Sequence, residues 1–173
     1  MKGFVLGVIT TIVVLAGGVY LYFATGMAPA ATSAAPMLFE KTLAGMALHA
    51  RIGKEMPKQS PVAADEPNLL AGAHVYLDQC AVCHGLPGKD QTAIAKGEFP
   101  RPPHLFKGKG VTDDEAGETY WKVSNGIRLT GMPGFNQQLS PTEMWQVSQL
   151  LANADKLPPS VKAVLDTPNK TGM

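Results

Sequence analysis

Cysteine is scarce in this sequence, and neither sign of charge predominates. Only 2 of the 173 residues are cysteine, which excludes a framework of several disulfide bonds. The chain has 15 lysines and arginines against 14 aspartates and glutamates, a formal net charge of +1. It contains no basic cluster and no RNA-binding signature, so we expect no nucleic-acid partner.

Charge is also missing from one long stretch near the N terminus. Residues 4–23 read FVLGVITTIVVLAGGVYLYF, about the length that crosses a bilayer as a helix. Lys2 precedes this stretch, which favours a cytoplasmic N terminus with the rest of the chain exported. We therefore predict a membrane anchor over residues 1–26. A cleaved signal peptide is the alternative, because Ala28-Pro29-Ala30 resembles a cleavage site.

Residues 27–66 predict a linker followed by a helical stalk. Small residues and proline dominate residues 28–36, as is typical of a linker. The stretch from Pro36 to Met56 predicts an amphipathic helix that starts at Pro36 and is interrupted at Gly53. Its predicted apolar face consists of Leu38, Phe39, Leu43, Met46, Ala47 and Ala50.

Residues 67–157 predict a small all-α domain with long loops. Asn68 is the expected cap of its first helix, and Thr112–Glu115 and Ser140–Glu143 read as capping boxes that begin two more. Asn125-Gly126 predicts the end of the second of these helices. Residues 158–173 show little core-forming pattern and are predicted to be a tail. So few helices give a thin core, and we expect another group to fill its centre.

Both cysteines lie in Cys80-Ala81-Val82-Cys83-His84, written CAVCH. A structural zinc ion needs four ligands, and the chain has no second cysteine pair. A thioredoxin-like dithiol needs a βαβ setting, whereas this domain reads as helical. Covalently attached haem accounts for every part of the motif. Cys80 and Cys83 would each form a thioether to a vinyl group, and the imidazole of His84 would bind the iron.

The second axial ligand of the iron is predicted to be Met132. It lies in TGMPGF, residues 130–135, where glycines and a proline favour a tightly turned loop. His104, in a proline-rich segment, is the alternative ligand. Packing or surface roles are expected for the remaining candidates, which are Met46, His49, His74 and Met144.

Together these residues resemble class I c-type cytochromes, and in particular bacterial single-haem domains tethered by an N-terminal membrane helix. The resemblance covers about residues 67–156. It rests on CAVCH and TGMPGF, and on the further motifs that surround them: Gly72 and Tyr76 on the helix entering CAVCH, NGI at 125–127 and Trp145 on the closing helix.

The resemblance implies a small cytochrome c fold around one covalent haem c. Cys80 and Cys83 would hold the porphyrin, with His84 and Met132 as axial ligands. The helix carrying Gly72 and Tyr76 would cross the closing helix near Trp145 and Leu151. A proline carbonyl, from Pro87 or the prolines at 100–103, would accept the second N–H of His84. Arg128 and Trp121 are candidates to meet the haem propionates.

The implied role is that of an electron carrier, not an enzyme, with no small-molecule substrate. Its redox partners would be a membrane dehydrogenase, an oxidase or another cytochrome of the respiratory chain. It would sit in the inner membrane of a bacterium with its haem domain in the periplasm. The alternatives are a haem subunit fixed in a larger dehydrogenase or oxidase, and a sensor or peroxidase with an open iron. The stalk helix discriminates between the first two, since a free carrier would pack it on its own domain or on lipid.

Overall fold

The computed structural model describes residues 1–107 and 113–167, and all the regular structure in those ranges is helical. This confirms the predicted all-α class. The chain divides into two compact units, residues 1–43 and residues 44–173.

The first unit contains helix α1, Lys2–Ala24, none of whose residues is buried. The helix is long and apolar enough to cross a membrane, and a signal sequence meets the same criteria. Helix α2, Glu40–Glu55, begins in this unit. Its start at Pro36 was predicted wrongly, because Phe39 has a left-handed φ of 64° and separates Pro36 from the helix. Helix α2 also continues through Gly53, so the predicted interruption is absent.

In the described residues of the second unit, six further helices follow α2. They are α3 (Glu66–Gln79), α4 (Ala81–His84), α5 (Ala93–Gly97), α6 (Ala116–Asn125), α7 (Pro141–Ala152) and α8 (Pro159–Asp166). Among the described residues, the buried members of the core around these helices are Leu69, Ala73, Tyr76, Val123, Met144, Val147, Leu150, Leu157, Val161 and Leu165.

Nearby side chains cap the first turns of α3 and α7, and for α3 the capping residue differs from the predicted one. Helix α3 is capped by Asp65, whose carboxylate accepts the backbone N–H of Asn68 at 3.1 Å. Asn68 is therefore inside the helix and is not its cap. The capping box at the start of α7 is confirmed, because Ser140 and Glu143 exchange hydrogen bonds of 3.3 and 2.8 Å.

For helix α6 the predicted end is confirmed, whereas the residue of its predicted start is not described. Thr112, its predicted start, lies outside the described residues, and Glu115 occupies the cap position with no side-chain hydrogen bond. The predicted stop is confirmed, since the helix ends at Asn125 and Gly126 has a φ of 68°.

Helices α3 and α7 cross at a glycine, as the resemblance implied. A methyl group at Gly72 would overlap the backbone carbonyl of Gln146, so the two helices touch through their backbones. Beside this contact, the Gln146 side chain donates to the Asn68 amide oxygen at 3.0 Å. Tyr76, one turn further along α3, is fully buried. This crossing fixes the end of α3, where CAVCH begins.

We expect Gly72→Ala to lower the free energy of unfolding of the second unit by about 1–3 kcal/mol, because the added methyl group forces the helices apart. Gly53→Ala is the matched control on α2, where a methyl group meets no atom within 4 Å. The control is expected to raise stability by up to about 1 kcal/mol, since alanine favours helix. Urea unfolding measures both, and equal stabilities for the two variants would contradict this account of the crossing.

The predicted C-terminal tail contains a helix that belongs to the core. Val161 and Leu165 lie four residues apart on one face of α8, and both are buried against the rest of the unit. The Ser160 hydroxyl donates to the Glu66 carboxylate and joins α8 to the start of α3. The prediction of little core-forming pattern was therefore wrong for residues 159–166.

Candidate functional site

One cavity of about 340 Å³ in the second unit is lined by all four predicted site residues. Cys80, Cys83 and His84 reach it from the end of α3 and from α4, and Met132 reaches it from the loop between α6 and α7. Its size lies within the range of small-molecule and cofactor sites. The structure therefore brings together residues that are about 50 positions apart in the sequence.

A single helical turn places the three CAVCH side chains on the cavity. The carbonyl of Cys80 accepts the N–H groups of Cys83 and His84 at 3.2 and 2.9 Å, which closes the turn. Gly85, with a φ of 77°, ends it. The buried Tyr76 hydroxyl donates to the Gly85 carbonyl at 2.6 Å and ties this turn back to α3.

His84 is oriented by a proline carbonyl. Its Nδ1 lies 2.8 Å from the oxygen of Pro103, which can only accept, so Nδ1 carries the proton and Nε2 keeps its lone pair. Among the candidate prolines, Pro103 makes this contact. Burial lowers the pKa of His84, while the Pro103 carbonyl and Glu98 act in the opposite direction. A neutral imidazole with a free Nε2 is the form that binds a metal.

Cys80 and Cys83 are both free thiols. Burial is the main cause that raises the pKa of Cys80 to about 12, and the neighbouring Cys83 adds to it. Burial also raises the pKa of Cys83 to about 11, helped by a 3.1 Å hydrogen bond from its thiol to Glu98. Both side chains therefore keep their S–H at neutral pH.

The loop that carries Met132 is held by hydrogen bonds and backbone contacts within the loop itself. The Thr130 hydroxyl accepts the Met132 N–H at 3.1 Å and donates to the Ile127 carbonyl at 2.6 Å. Ile127 in turn donates its N–H to the Met132 carbonyl at 3.1 Å. Gly126 and Gly134 face each other so closely that a methyl group on Gly126 would lie 2.6 Å from the Gly134 nitrogen. These contacts fix the position of Met132 on the cavity wall.

His104, the alternative ligand, has both ring nitrogens engaged away from the cavity. Its Nδ1 accepts the Phe106 N–H at 3.2 Å, so its Nε2 carries the proton and donates to the Lys89 carbonyl at 3.0 Å. A methyl group on Gly85 would lie 2.7 Å from this ring, so His104 braces the end of α4.

The other candidate ligands lie elsewhere. Met144 is buried in the core, whereas His74 and His49 are exposed and the Met46 side chain is 64% exposed. None of the four belongs to the described residues that line the cavity.

The candidate propionate partners are also absent from the described lining. Trp121 donates its indole N–H to Glu55 at 3.1 Å, and Arg128 is exposed. The cations of the lining are instead Arg101 and Lys122. The ammonium of Lys122 contacts the carboxylates of Asp114 and Glu118 at 2.6 and 2.8 Å.

The sequence analysis did not identify Arg101, Lys122 and Glu98 as residues of the cavity lining. It also did not identify Leu48 of helix α2. Only Lys122 had a detectable signal, a glutamate four residues before it on the same helix. Glu98 and Arg101 lie in irregular chain, where no periodicity indicates which way a side chain points.

The donor set fits a covalently attached haem. Two thiols are available for thioethers, an oriented imidazole can bind iron, and a thioether can bind it as well. Much of the remaining wall is apolar, which suits a flat hydrophobic macrocycle; its members include Leu48, Leu105, Val123, Ile127, Phe135 and Leu151.

Comparison with known families agrees with this chemistry. Residues 67–151 match the model of the family described as Cytochrome C oxidase, cbb3-type, subunit III. The match includes α4 to α6, the whole Met132 loop and all but one terminal residue of both α3 and α7. No curated protein matches the sequence.

Proposed function

Because the chain carries a c-type cytochrome domain over residues 67–151, we propose that it is a single-haem electron carrier tethered to a membrane by α1. The observation that carries the proposal is the convergence of Cys80, Cys83, His84 and Met132 on one apolar cavity. In this proposal Cys80 and Cys83 would hold haem c through thioethers, and His84 and Met132 would bind its iron. When bound, haem c supplies an iron that gains and loses one electron.

The protein's own residues decide how that iron behaves. The Pro103 carbonyl holds the His84 ring in one orientation and increases the basicity of Nε2. Binding of the iron by a histidine and a methionine would raise the reduction potential and would leave no ligand position for a substrate. The apolar wall excludes water and so favours the reduced, less charged state. These properties suit a carrier that performs no chemistry on a small molecule.

The proposed location is the inner membrane of a bacterium, with the haem domain on the periplasmic side. Lys2 on the near side of α1 supports this orientation, and α1 itself has the length and composition of a single span. The proposed partners are redox proteins of the respiratory chain: a membrane dehydrogenase, an oxidase or another cytochrome.

A second candidate function is that of a haem subunit fixed in a larger oxidoreductase. The description of the matched family, which names an oxidase subunit, favours it. The packing of α2 favours the free carrier, because Ile52 of this helix is only 3% exposed within the protein's own second unit. Purification in mild detergent distinguishes the two, since a fixed subunit co-purifies in a constant ratio with other chains.

The first test is an absorption spectrum of the oxidised and reduced full-length protein, made in cells with the haem-attachment machinery. We expect covalent haem and, in the oxidised form, the weak long-wavelength band of methionine-bound iron. Haem without this band would contradict the role of Met132 and favour a sensor or peroxidase with an open iron. Protein without covalent haem would overturn the proposed function.

A further inference from the structure

The second half of helix α2 lies outside the family match and still reaches the haem cavity. The match begins at residue 67, whereas Leu48 of α2 lines the cavity. We propose that residues 44–55 form an added wall of the haem pocket and that Leu48 helps to set the reduction potential. The proposal rests on the proposed function, since it assumes haem in this cavity.

Several contacts hold this half of α2 against the rest of the unit. Ile52, one turn after Leu48 on the same face, is 3% exposed. At the end of the helix, Glu55 accepts the Trp121 indole N–H at 3.1 Å. An ion pair of 2.8 Å with Arg51, one turn earlier on α2, orients the Glu55 carboxylate. The chain that follows is equally close, because a methyl group on Gly117 would overlap the Pro57 carbonyl.

Helix α6 connects these contacts with the cavity. Gly117 and Trp121, four residues apart, meet the segment 55–57. Thr119 and Val123, which alternate with them along α6, line the cavity. Helix α6 therefore holds the segment 55–57 with one side and lines the cavity with the other, while Leu48 of α2 is a separate member of the same lining.

An aliphatic side chain at this wall has a direct electrostatic effect. It replaces water near the site of charge change, and a low local dielectric disfavours the more charged, oxidised state. Leu48→Asn puts an amide and its hydration in the same place. The variant is therefore expected to favour the oxidised protein.

The experiment is a redox titration of the full-length protein, followed by haem absorption, for Leu48→Asn and Leu43→Asn. Leu43 lies on the same helix but its side chain is 62% exposed, so it controls for the loss of a leucine from α2. At a fixed ambient potential, Leu48→Asn is expected to lower the ratio of reduced to oxidised protein by about threefold, or about 28 mV at 59 mV per tenfold. Leu43→Asn is expected to leave the ratio unchanged, and Leu48→Met to restore it.

Two further variants separate this effect from a general loss of stability. Val161→Ala removes buried methyl groups from α8, away from the described lining, and should lower the melting temperature without moving the potential. Trp121→Phe removes the hydrogen bond to Glu55 and should move the potential in the same direction as Leu48→Asn, by less.

The outcomes of this series are separable. Equal potentials for Leu48→Asn, Leu43→Asn and the parent would overturn the inference while leaving the haem function intact. A shift in Val161→Ala as large as in Leu48→Asn would overturn it as well, because loosening of the fold would then explain both. A parent protein without covalent haem would instead contradict the proposed function itself.

Discussion

The double variant Cys80→Ala, Cys83→Ala is expected to carry no covalently attached haem. Both thiols line the cavity and both are free, so they are the available nucleophiles for two thioethers. Haem staining after denaturing electrophoresis measures the effect directly, because only covalently bound haem stays with the chain. We expect a stained band for the parent and none for the double variant.

The same variant is also expected to be less stable than the parent. The cytochrome domain has a small core, and a bound cofactor adds to folding stability because it binds only the folded chain. Val82→Ala is the matched control, since it changes a residue of the same motif whose side chain is 46% exposed. Retention of covalent haem in the double variant, or its loss in Val82→Ala, would show that the assignment of the two thiols is mistaken.

Met132→Ala is expected to lower the reduction potential by on the order of 100 mV or more, since it removes the proposed ligand, and a methionine ligand favours the reduced iron. The long-wavelength band of methionine-bound iron should disappear from the oxidised spectrum at the same time. The fold should be retained, because the loop is held through the Thr130 hydroxyl and backbone groups that the substitution does not change. Redox titration and oxidised-state absorption spectra measure both effects.

Met144→Leu is the control for this substitution. Met144 is buried in the core and does not belong to the described cavity lining, and leucine has a similar volume. The control should keep both the potential and the band. If Met132→Ala kept them too, the axial ligand would have to be another residue, and the contacts of His104 with Phe106 and Lys89 would need to break for that ring to serve.

The sequence predicted the cytochrome domain well because its signals are local. CAVCH is a five-residue motif, and the capping box at Ser140 and the stop at Gly126 are each decided within one turn. Gly72 indicated a close helix crossing, and the structure supplies its partner, Gln146. The convergence of CAVCH and Met132 was expected from the predicted pair of iron ligands and from the resemblance, since no periodic pattern joins segments so far apart in the chain.

Helix α2 shows why the other predictions failed. The periodic face predicted for it includes Leu43 and Met46, which are more than 60% exposed, whereas the face that packs on the second unit carries Leu48 and Ile52. Both faces contain apolar residues at helical spacing, so periodicity alone does not choose between them. The choice depends on a long-range partner, the α6 residue Trp121, which no local pattern in α2 reveals.

The partner of His84 was undetermined in the sequence for a similar reason. Pro87 and the prolines at 100–103 all offer a carbonyl without an N–H of their own, and only the path of the intervening loop selects Pro103. That path depends on contacts such as those from the Gln91 amide to the carbonyls of Cys83 and Pro102, at 3.2 and 2.8 Å. Such contacts have no repeating spacing that a sequence pattern could report.

The contact between Gly126 and Gly134 constrains how this protein can vary. The two glycines meet through backbone atoms, and between them the Ile127 and Met132 backbones are hydrogen-bonded. These backbone contacts at the two ends of the loop therefore fix the number of residues between them. The exposed side chain of Leu129 can change among relatives to residues that tolerate its left-handed φ of 62°. Inserting or deleting one residue between the glycines would instead displace Met132 from the cavity. Natural variation in this segment should therefore appear as substitutions and almost never as changes of length.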